Sequence, residues 1–391
     1  MSIGLLCDSL EADEMGIKLT AEELGVNLTY IPFRKVALCI NNGQYALKSQ
    51  GKDYSSILEE VKVILNRTQS KNRRLIAASL LETLDKKVIN PLQIEFICFS
   101  KVRTLLSLCK SGVKTPKTVF IPCDPGEKTR GGVELRNEEE IVNLVQRELG
   151  TLTVLKPDAG THGRGVKFAK TREDLLKLLE KAKPSITNPV GVLTQEFVQK
   201  WFYDLRIIVV KEKGKASFCH PKAMARAGFK DFRTNTALGN FVFDVDLPDS
   251  IQNVACKCGS IIGKNCEVWL LALDAMIPVG EDKIANDKYV KEELKKLAPS
   301  FEVVKNVRKD KSKKKDFKEW NRKLEEAFQK YKSSKAYENI KKVINETVEK
   351  NKHSVLFHEV NACPEFWEQT RLATDANLAA YLLACAESLN G

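Results

Sequence analysis

The sequence contains the segment His358-Glu359-Val360-Asn361-Ala362-Cys363-Pro364 near its C-terminal end, about eighty-five residues after the segment Leu271-Ala272-Leu273-Asp274-Ala275. Both segments are apolar enough for short β-strands, and together they carry three hard oxygen donors: Asp274, Glu359 and Asn361. Glu359 and Asn361 are two residues apart, so on a strand they project from the same face. Two carboxylates and an amide on neighbouring strands suit Mg²⁺, which takes a few protein oxygens and completes its shell with water and phosphate. The alternative is a solvated strand face that carries acids by chance.

The composition is that of an ordinary globular protein. With 391 residues, 43% of them hydrophobic, the chain has the size of two or three domains. No apolar run approaches the roughly 18 to 20 residues of a membrane span. The first seven residues lack the basic start and the longer apolar stretch of a signal peptide. We therefore expect a cytoplasmic protein that does not contact a membrane.

The cysteines and the net charge narrow the chemistry further. Eleven cysteines, an odd number without regular spacing, indicate reduced thiols rather than a disulfide framework. Cys256, Cys258 and Cys266 have part of the spacing of a zinc site, but no fourth cysteine or histidine follows at finger spacing. The formal net charge of +12 favours an anionic substrate or partner.

The first part of the chain has the pattern of an α/β unit. Residues 3–7, 28–31 and 63–66 have the composition of strands, and residues 88–90 close the unit. Residues 11–24 and 73–84, which lie between these segments, have the periodicity of helices. This alternation predicts a parallel sheet with crossover helices.

The pattern over the whole chain predicts three units, the third of which is interrupted. They are an N-terminal α/β domain at residues 1–115, a central subdomain with a glycine-rich lid at 116–200 and a C-terminal subdomain at 201–391. The interruption at residues 281–353 holds 22 basic and 14 acidic residues.

This insertion has helical spacing of apolar residues, among them Trp320, Leu324, Phe328 and Tyr331, and a basic tip at residues 311–315. It separates two strands that must still pair. We therefore expect it to project from the surface, where its lysines would attract an anionic partner. The alternative is a structural cap in which the aromatic stripe packs against the core.

A glycine-rich loop contains Gly160, Gly163 and Gly165 and lies between two predicted strands. This position argues against a dinucleotide-binding fingerprint and against a Walker loop, which both lie between a strand and a helix. The glycines instead predict a flexible β-hairpin lid whose backbone amides approach phosphate oxygens closely. Lys156, just ahead of the loop, would add a charge on the phosphates. An ordinary structural turn is the alternative.

The next strand ends at Glu196, Phe197 and Val198, where free backbone groups could pair with an adenine edge. Asp204 begins the following strand, and its carboxylate could accept hydrogen bonds from ribose hydroxyls. An ordinary strand–loop–strand connection explains the same residues without a ligand.

Arg226, Arg233 and Asn235 lie around glycine-flanked turns. Two arginines and an asparagine in such a segment suit recognition of a phosphate or a carboxylate. The alternative is a solvated basic loop.

The order of these elements resembles the ATP-grasp superfamily, in the branch of the RimK and LysX carboxylate–amine ligases. The resemblance covers nearly all of residues 1–280 and 354–391. Its most specific parts are Asp204-Leu205-Arg206, Phe232-Arg233-Thr234-Asn235-Thr236 and Glu359-Val360-Asn361. The chain departs from its relatives at Gly239-Asn240, where they usually have paired glycines. The segment Ala362-Cys363-Pro364-Glu365-Phe366 combines features of LysX and RimK, so the acceptor class stays open.

The resemblance implies an α/β fold, the ATP-grasp fold, with an N-terminal parallel-sheet (preATP-grasp) domain and two α+β subdomains that clamp ATP. It also implies roles for the residues that match the family. For ATP binding these are Lys101 and Lys156 at the phosphates and the adenine region, Glu196, Phe197 and Val198 at the adenine, and Asp204 at the ribose. Two Mg²⁺ ions, with Mn²⁺ as a substitute, would be held by Asp274, Glu359 and Asn361. Arg226 would lie near an acyl phosphate, with Arg233 and Asn235 near phosphate and substrate.

The implied activity is ATP-dependent ligation of an amino acid, glutamate-like, to a carboxylate acceptor through an acyl phosphate. An acidic carrier or a ribosomal protein would be the macromolecular partner, and we expect a homo-oligomer. A different class of function is a nucleic-acid- or ribosome-binding protein on an inactive ATP-grasp scaffold, which the basic insertion favours.

Overall fold

The computed structural model describes residues 2–49, 52–161, 163–180, 191–280 and 287–390. The elements are numbered in chain order. The strands are β1 (Ile3–Cys7), β2 (Leu28–Pro32), β3 (Ala37–Asn41), β4 (Gln44–Ser49), β5 (Lys52–Asp53), β6 (Val63–Asn66), β7 (Lys87–Ile89), β8 (Thr118–Ile121), β9 (Thr153–Lys156), β10 (Lys167–Ala169), β11 (Val192–Glu196), β12 (Tyr203–Lys211), β13 (Phe218–Cys219), β14 (Lys222–Ala227), β15 (Phe241–Asp246), β16 (Trp269–Met276) and β17 (Leu356–Asn361).

The helices are α1 (Ala12–Leu24), α2 (Ser55–Glu60), α3 (Lys71–Thr83), α4 (Leu92–Phe99), α5 (Lys101–Lys110), α6 (Glu138–Leu149), α7 (Arg172–Leu179), α8 (Asp249–Ile262), α9 (Asp287–Lys309), α10 (Phe317–Lys332), α11 (Lys335–Lys350), α12 (Thr370–Thr374) and α13 (Leu378–Asn390). Among the described residues, no helix combines the length and the apolar character needed to cross a bilayer.

The N-terminal sheet has the order β2-β1-β6-β7, and every pairing in it is parallel. This confirms the predicted parallel sheet with crossover helices. The sequence interpretation missed the small sheet β3-β4-β5. Its hairpin turns at Asn42 and Gly43, which both have positive φ, as an Asn-Gly turn requires.

The glycine-rich loop joins β9 to β10, which pair antiparallel in the central sheet of order β10-β9-β11-β8. The predicted β-hairpin is therefore confirmed. The largest sheet has the antiparallel path β15-β14-β12-β16-β17, and its central strands are almost wholly buried. Both sheets face the candidate site, which lies between them.

The insertion does not project from the surface, so that expectation is wrong. Its aromatic stripe is buried: Trp320, Leu324, Phe328 and Tyr331 are each at most 1% exposed and belong to the same core as β12 and β16. The Tyr331 hydroxyl donates to the carbonyl of Val242 on β15 at 2.8 Å. A continuous apolar stripe on a helix must be covered. Here α9, the segment after β17 and β15 cover it together: Trp320 donates to the carbonyl of Val307 on α9 at 2.8 Å, Phe317 packs near Trp367, and Tyr331 packs near Phe243. The alternative prediction, a structural cap, describes the insertion correctly.

Because the insertion is part of the core, we predict that Leu324→Ala lowers the free energy of unfolding by about 2 to 5 kcal/mol. Leu324 is fully buried, so its truncation leaves a cavity in the core. The matched control is Lys323→Ala on the neighbouring, half-exposed position, which should change stability by less than about 0.5 kcal/mol. Urea unfolding measures both. Equal midpoints for the two variants would contradict the buried position of the insertion.

Candidate active site

One face of the largest sheet carries a row of charged side chains that crosses four strands. The strand register places Arg226 on β14 opposite Asp204 on β12, and Arg206 on β12 opposite Asp274 on β16. Asp274 in turn lies opposite Glu359 on β17. Asp204 and Arg206 are two residues apart, so they share a face of their strand. The fold therefore gathers these residues, which are far apart in sequence, into one row.

Asp274 is the centre of this row. Arg206 donates from Nε and Nη2 to its two oxygens at 2.9 and 3.0 Å, and Arg226 lies 3.2 Å from Oδ2. Asn361 Nδ2 donates to the same oxygen at 3.4 Å. Burial alone would raise the pKa of Asp274, but the two arginines hold that pKa below its usual range. Asp274 is thus held as a buried carboxylate anion.

Sequence reasoning gave Arg206 no role, although it noted the motif that contains it. The signal was its spacing of two from Asp204, which puts both side chains on the side of the strand that carries the ligands. In the structure Arg206 is the bidentate partner of Asp274.

Asp204 lies in the candidate site but is already well bonded by the protein. Arg226 Nε donates to its Oδ1 at 2.6 Å, while the Thr234 hydroxyl and Lys200 Nζ bind Oδ2, the lysine at 3.4 Å. Burial would raise the pKa of Asp204, but Arg226 and Lys200 lower it well below its usual range. Its contact with a ribose stays a prediction.

A β-bulge places His358 in the site. The register between β16 and β17 shifts after Asp274, so that Asp274 lies opposite Glu359 and Ala275 lies opposite Phe357. His358 is the extra residue, and it lines the inner cavity described next. Burial lowers the pKa of His358 to about 4, so the ring is neutral near pH 7. Sequence reasoning missed it, because a bulge leaves no trace in an alternating pattern.

The inner cavity, of about 100 Å³, lies between the central sheet and the charged row. Its apolar walls are Val154, Val166, Phe197, Val198 and Met276. Most of the residues proposed from the sequence line it: Lys101, Lys156, Gly160, Gly163, Glu196, Phe197, Val198, Asp204, Arg226, Arg233, Asn235, Asp274 and Glu359.

Two proposed residues do not line the inner cavity. Gly165 has a positive φ and packs near Pro157, so it shapes the turn of the lid. Asn361 lines a neighbouring cavity instead, although its amide contacts Asp274.

The lid is closed over the inner cavity by two contacts to its backbone carbonyls. Lys101 Nζ donates to the carbonyl of Gly160 at 2.7 Å, and Arg233 Nη1 donates to that of Gly163 at 3.1 Å. Gly163 has a φ of +69°, and a Cβ there would lie 2.6 Å from Asn235 Oδ1. Only glycine fits this close approach. Ligand pockets are usually larger than this closed space.

Two lysines, Lys101 and Lys156, line the inner cavity. Lys156 Nζ donates to the side-chain oxygen of Gln195. Burial, and after it the neighbouring charge of Lys101, lower the pKa of Lys156 to about 8. Lys101 also lies 3.8 Å from Glu359 Oε1. Burial would raise the pKa of Glu359, but Lys101 and then Lys71 hold it below its usual range.

An outer cavity of about 370 Å³ adjoins the inner one and shares Arg226, Asn235, Asp274 and Glu359 with it. Its far wall comes from the N-terminal unit and from the segment that follows β17. Lys71, at the start of α3, lines this cavity and donates to the carbonyl of Cys98 at 3.5 Å. Within the described ranges Lys71 has no carboxylate at ion-pair distance, although its charge helps to lower the pKa of Glu359. Sequence reasoning missed this cation.

The oxygen donors fit a hard cation. Asp274, Glu359 and Asn361 supply two carboxylates and an amide, and both acids are held ionised by the cations around them. Two anionic ligands leave coordination positions for phosphate and water, as Mg²⁺ prefers. The described part of the chain contains no cluster of three or more His, Cys, Asp or Glu residues arranged for a metal, and this includes the cysteines considered for zinc.

Comparison with known proteins agrees with this geometry. The RimK-like ATP-grasp domain family matches residues 100–279. The alpha-aminoadipate–LysW ligase LysX of Saccharolobus solfataricus is 30% identical over 211 residues, which cover 53% of this chain and 68% of that protein. LysX of Sulfurisphaera tokodaii is 26% identical over 264 residues, 67% of this chain and 82% of its own length. The D-cycloserine synthetase DcsG shares the fold over 100% of both chains, with a TM-score of 0.56 and 12% identity.

The fold is the ATP-grasp fold. The chain belongs to the RimK-like ATP-grasp family. It is therefore an enzyme that forms C–N bonds, of a family that binds ATP together with divalent metal ions.

We predict that ATP binding takes up a proton at about pH 9. The free Lys156 amine, with its lowered pKa, is mostly neutral there. Phosphate oxygens beside it would raise the pKa again, so the amine would bind a proton with the nucleotide. At about pH 6.5 the amine is already charged, and no uptake is expected.

Calorimetry in two buffers of different ionisation enthalpy measures this uptake. The Lys156→Met variant should still bind nucleotide, although with lower affinity than the wild type. Its binding should show no proton uptake at the higher pH. The same uptake in Lys156→Met as in the wild type would contradict a phosphate contact by this lysine.

Proposed function

We propose that this protein is an ATP-dependent carboxylate–amine ligase that activates its carboxylate substrate as an acyl phosphate. The observation that carries the proposal is that the inner and outer cavities meet at a shared wall. Asp274, Glu359 and Arg226 line both cavities there. A nucleotide in the inner cavity would present its γ-phosphate at this junction. A carboxylate in the outer cavity would reach the same point from the other side.

The proposed reaction has two steps. A carboxylate oxygen of the acceptor attacks the γ-phosphorus, the bond to the β-phosphate oxygen breaks, and ADP leaves. The amine nitrogen of the second substrate then attacks the acyl carbon, phosphate leaves with the bonding electron pair, and the amine loses a proton. No side-chain nucleophile is required, so catalysis consists of positioning and of neutralising charge.

Residues of this chain would supply that positioning. Lys101 and Lys156 would bind the phosphates from the lid side of the inner cavity. Arg226 lies at the junction, where an acyl phosphate would form, and Arg233 and Asn235 lie beside Gly163 of the lid. Arg233 donates a hydrogen bond to the carbonyl of Gly163 in the lid. Closure of the lid would therefore bring Arg233 toward the phosphate.

We propose Mg²⁺ as the divalent ion, two ions in total, with Mn²⁺ as a substitute. Asp274, Glu359 and Asn361 would hold the metal, whose charge would neutralise the phosphates. Arg206 keeps Asp274 ionised and fixes the orientation of its carboxylate. An ionised and oriented carboxylate is what a metal ion needs as an oxygen ligand.

For the substrates we propose an acidic, glutamate-like amino acid as the amine. The relatives point this way, since LysX is named for alpha-aminoadipate and LysW, and another relative from Methanocaldococcus jannaschii is a coenzyme gamma-F420-2:alpha-L-glutamate ligase. A LysW-like acidic carrier or a ribosomal protein would supply the carboxylate. Lys71 lines the outer cavity and has no carboxylate at ion-pair distance among the described residues. It would bind a substrate carboxylate.

The remaining expectations stay proposals. They are the domain limits at 1–115, 116–200 and 201–391, with the insertion at 281–353, a cytoplasmic location and a homo-oligomer. Nucleic-acid binding through the insertion is not favoured, because the aromatic residues that would stack on bases are buried in the core.

We predict that Glu359→Gln lowers ligase turnover by at least about 100-fold, because one anionic metal ligand is lost. The substitution is nearly isosteric, so the fold should remain intact. The assay is ADP release with a panel of carboxylates, with hydroxylamine as a general amine that traps an acyl phosphate as a hydroxamate.

The control for this experiment is Glu349→Gln, a glutamate with 60% of its side chain exposed, which should leave turnover unchanged. Thermal unfolding of both variants tests for damage to the fold. Turnover of a folded Glu359→Gln protein near the wild-type rate would refute the metal assignment.

A further inference from the structure

The insertion contributes two cations to the outer cavity. Arg308 lies in the last turn of α9, and Lys313 lies in the short 3₁₀ turn that follows it. Arg308 Nε donates to Glu368 Oε2 at 3.0 Å, and Lys313 Nζ donates to Oε1 of the same carboxylate at 3.2 Å. The basic tip at residues 311–315 is thus joined to the wall of the outer cavity.

Glu368 is held in place from two sides of the molecule. Its neighbour Trp367 donates from its backbone amide to Asp13 Oδ1 at 2.7 Å and from its indole nitrogen to Asn321 Oδ1 at 2.8 Å. Asp13 belongs to the N-terminal unit and Asn321 to the insertion. The carboxylate and the two cations around it are therefore ordered before any ligand arrives, which lowers the entropy cost of binding.

The outer cavity is lined by equal numbers of acidic and basic residues, but the two cations of the insertion share a single carboxylate. Arg67, Arg74, Arg206 and Arg226, which also line the outer cavity, are each paired with at least one carboxylate of their own. Arg308 and Lys313, by contrast, share one carboxylate in the part of the chain that the structure describes. A guanidinium offers five N–H donors and an ammonium three, so most of their donors stay free for a ligand.

We propose that Arg308 and Lys313 form an anion-binding subsite that receives a second, distal carboxylate of the acceptor. This inference rests on the proposed ligase function and adds to it the substrate class: an acceptor with one carboxylate at the junction of the cavities and another at the insertion. Arginine suits the distal group because its planar fork binds a carboxylate through two hydrogen bonds. The insertion then determines specificity as well as stability.

The test measures binding of matched probes to the full chain in the presence of a non-hydrolysable ATP analogue. The probes are glutarate with pentanoate and adipate with hexanoate, each pair equal in length and differing in the second carboxylate. Calorimetry should show at least a ten-fold preference for a dicarboxylate in the wild type. In the Arg308→Ala/Lys313→Ala double variant the preference should fall below three-fold, while affinity for the ATP analogue stays unchanged.

Two further variants separate this role from a structural one. Glu368→Gln removes the competing carboxylate and should strengthen dicarboxylate binding several-fold, whereas a merely structural ion pair would only lose stability. Lys318→Ala changes an insertion lysine with 72% of its side chain exposed, outside the cavity, and should have no effect.

Absence of a dicarboxylate preference in the wild type would overturn the subsite, as would its persistence in the double variant. The same proteins are assayed for hydroxylamine-dependent ADP release. A dicarboxylate preference that depends on Arg308 and Lys313, without ADP release for any carboxylate, would support the subsite and contradict the ligase function. The two failures are therefore distinguishable.

Discussion

The ion pairs of Asp274 are the interaction on which the rest of the site depends. A carboxylate that is 3% exposed would be very costly to keep ionised alone, and Arg206 and Arg226 make it tolerable by binding both of its oxygens. Arg226 is itself buried and the side chain of Arg206 is only 16% exposed, so each arginine needs its carboxylate partner in turn. A slip of one residue between the strands would turn these side chains to the opposite face and leave charges unpaired in the core. The register of the sheet and the electrostatics of the site are therefore a single constraint.

The insertion adds a second constraint to the same sheet. Tyr337 donates to Asp244 on β15 at 2.7 Å, while Arg308 and Lys313 reach the wall of the outer cavity. The insertion, which contacts β15, thus also holds the segment that follows β17. A change in the packing of the insertion would alter the wall of the outer cavity, because Trp367 donates a hydrogen bond to Asn321 of the insertion.

Much of the fold could be predicted because it depends on local signals. The glycines at 160, 163 and 165 indicated a hairpin, and alternating strands and helices indicated the parallel sheet. The candidate ligands at Asp274 and Glu359 followed from oxygen donors on apolar strands. The structure places both at the junction of the two cavities.

Other features depend on long-range geometry, which the sequence does not display. His358 enters the inner cavity through a bulge, and a bulge is set by the pairing of two distant strands. Lys71 joins the site because the fold brings the start of α3 to the outer cavity, although its own surroundings in the sequence are those of a helix start. The aromatic stripe of the insertion required a buried surface, but nothing in the stripe says which surface covers it.

Crystals grown with a non-hydrolysable ATP analogue and Mn²⁺, with diffraction recorded at the manganese absorption edge, test the central claim most directly. The account predicts anomalous peaks within roughly 2.0 to 2.6 Å of oxygens of Asp274 and Glu359. It also predicts that the triphosphate ends at the junction of the two cavities, with Arg206 still bonded to Asp274. Manganese bound elsewhere, or a triphosphate that ends away from Asp274 and Glu359, would contradict it.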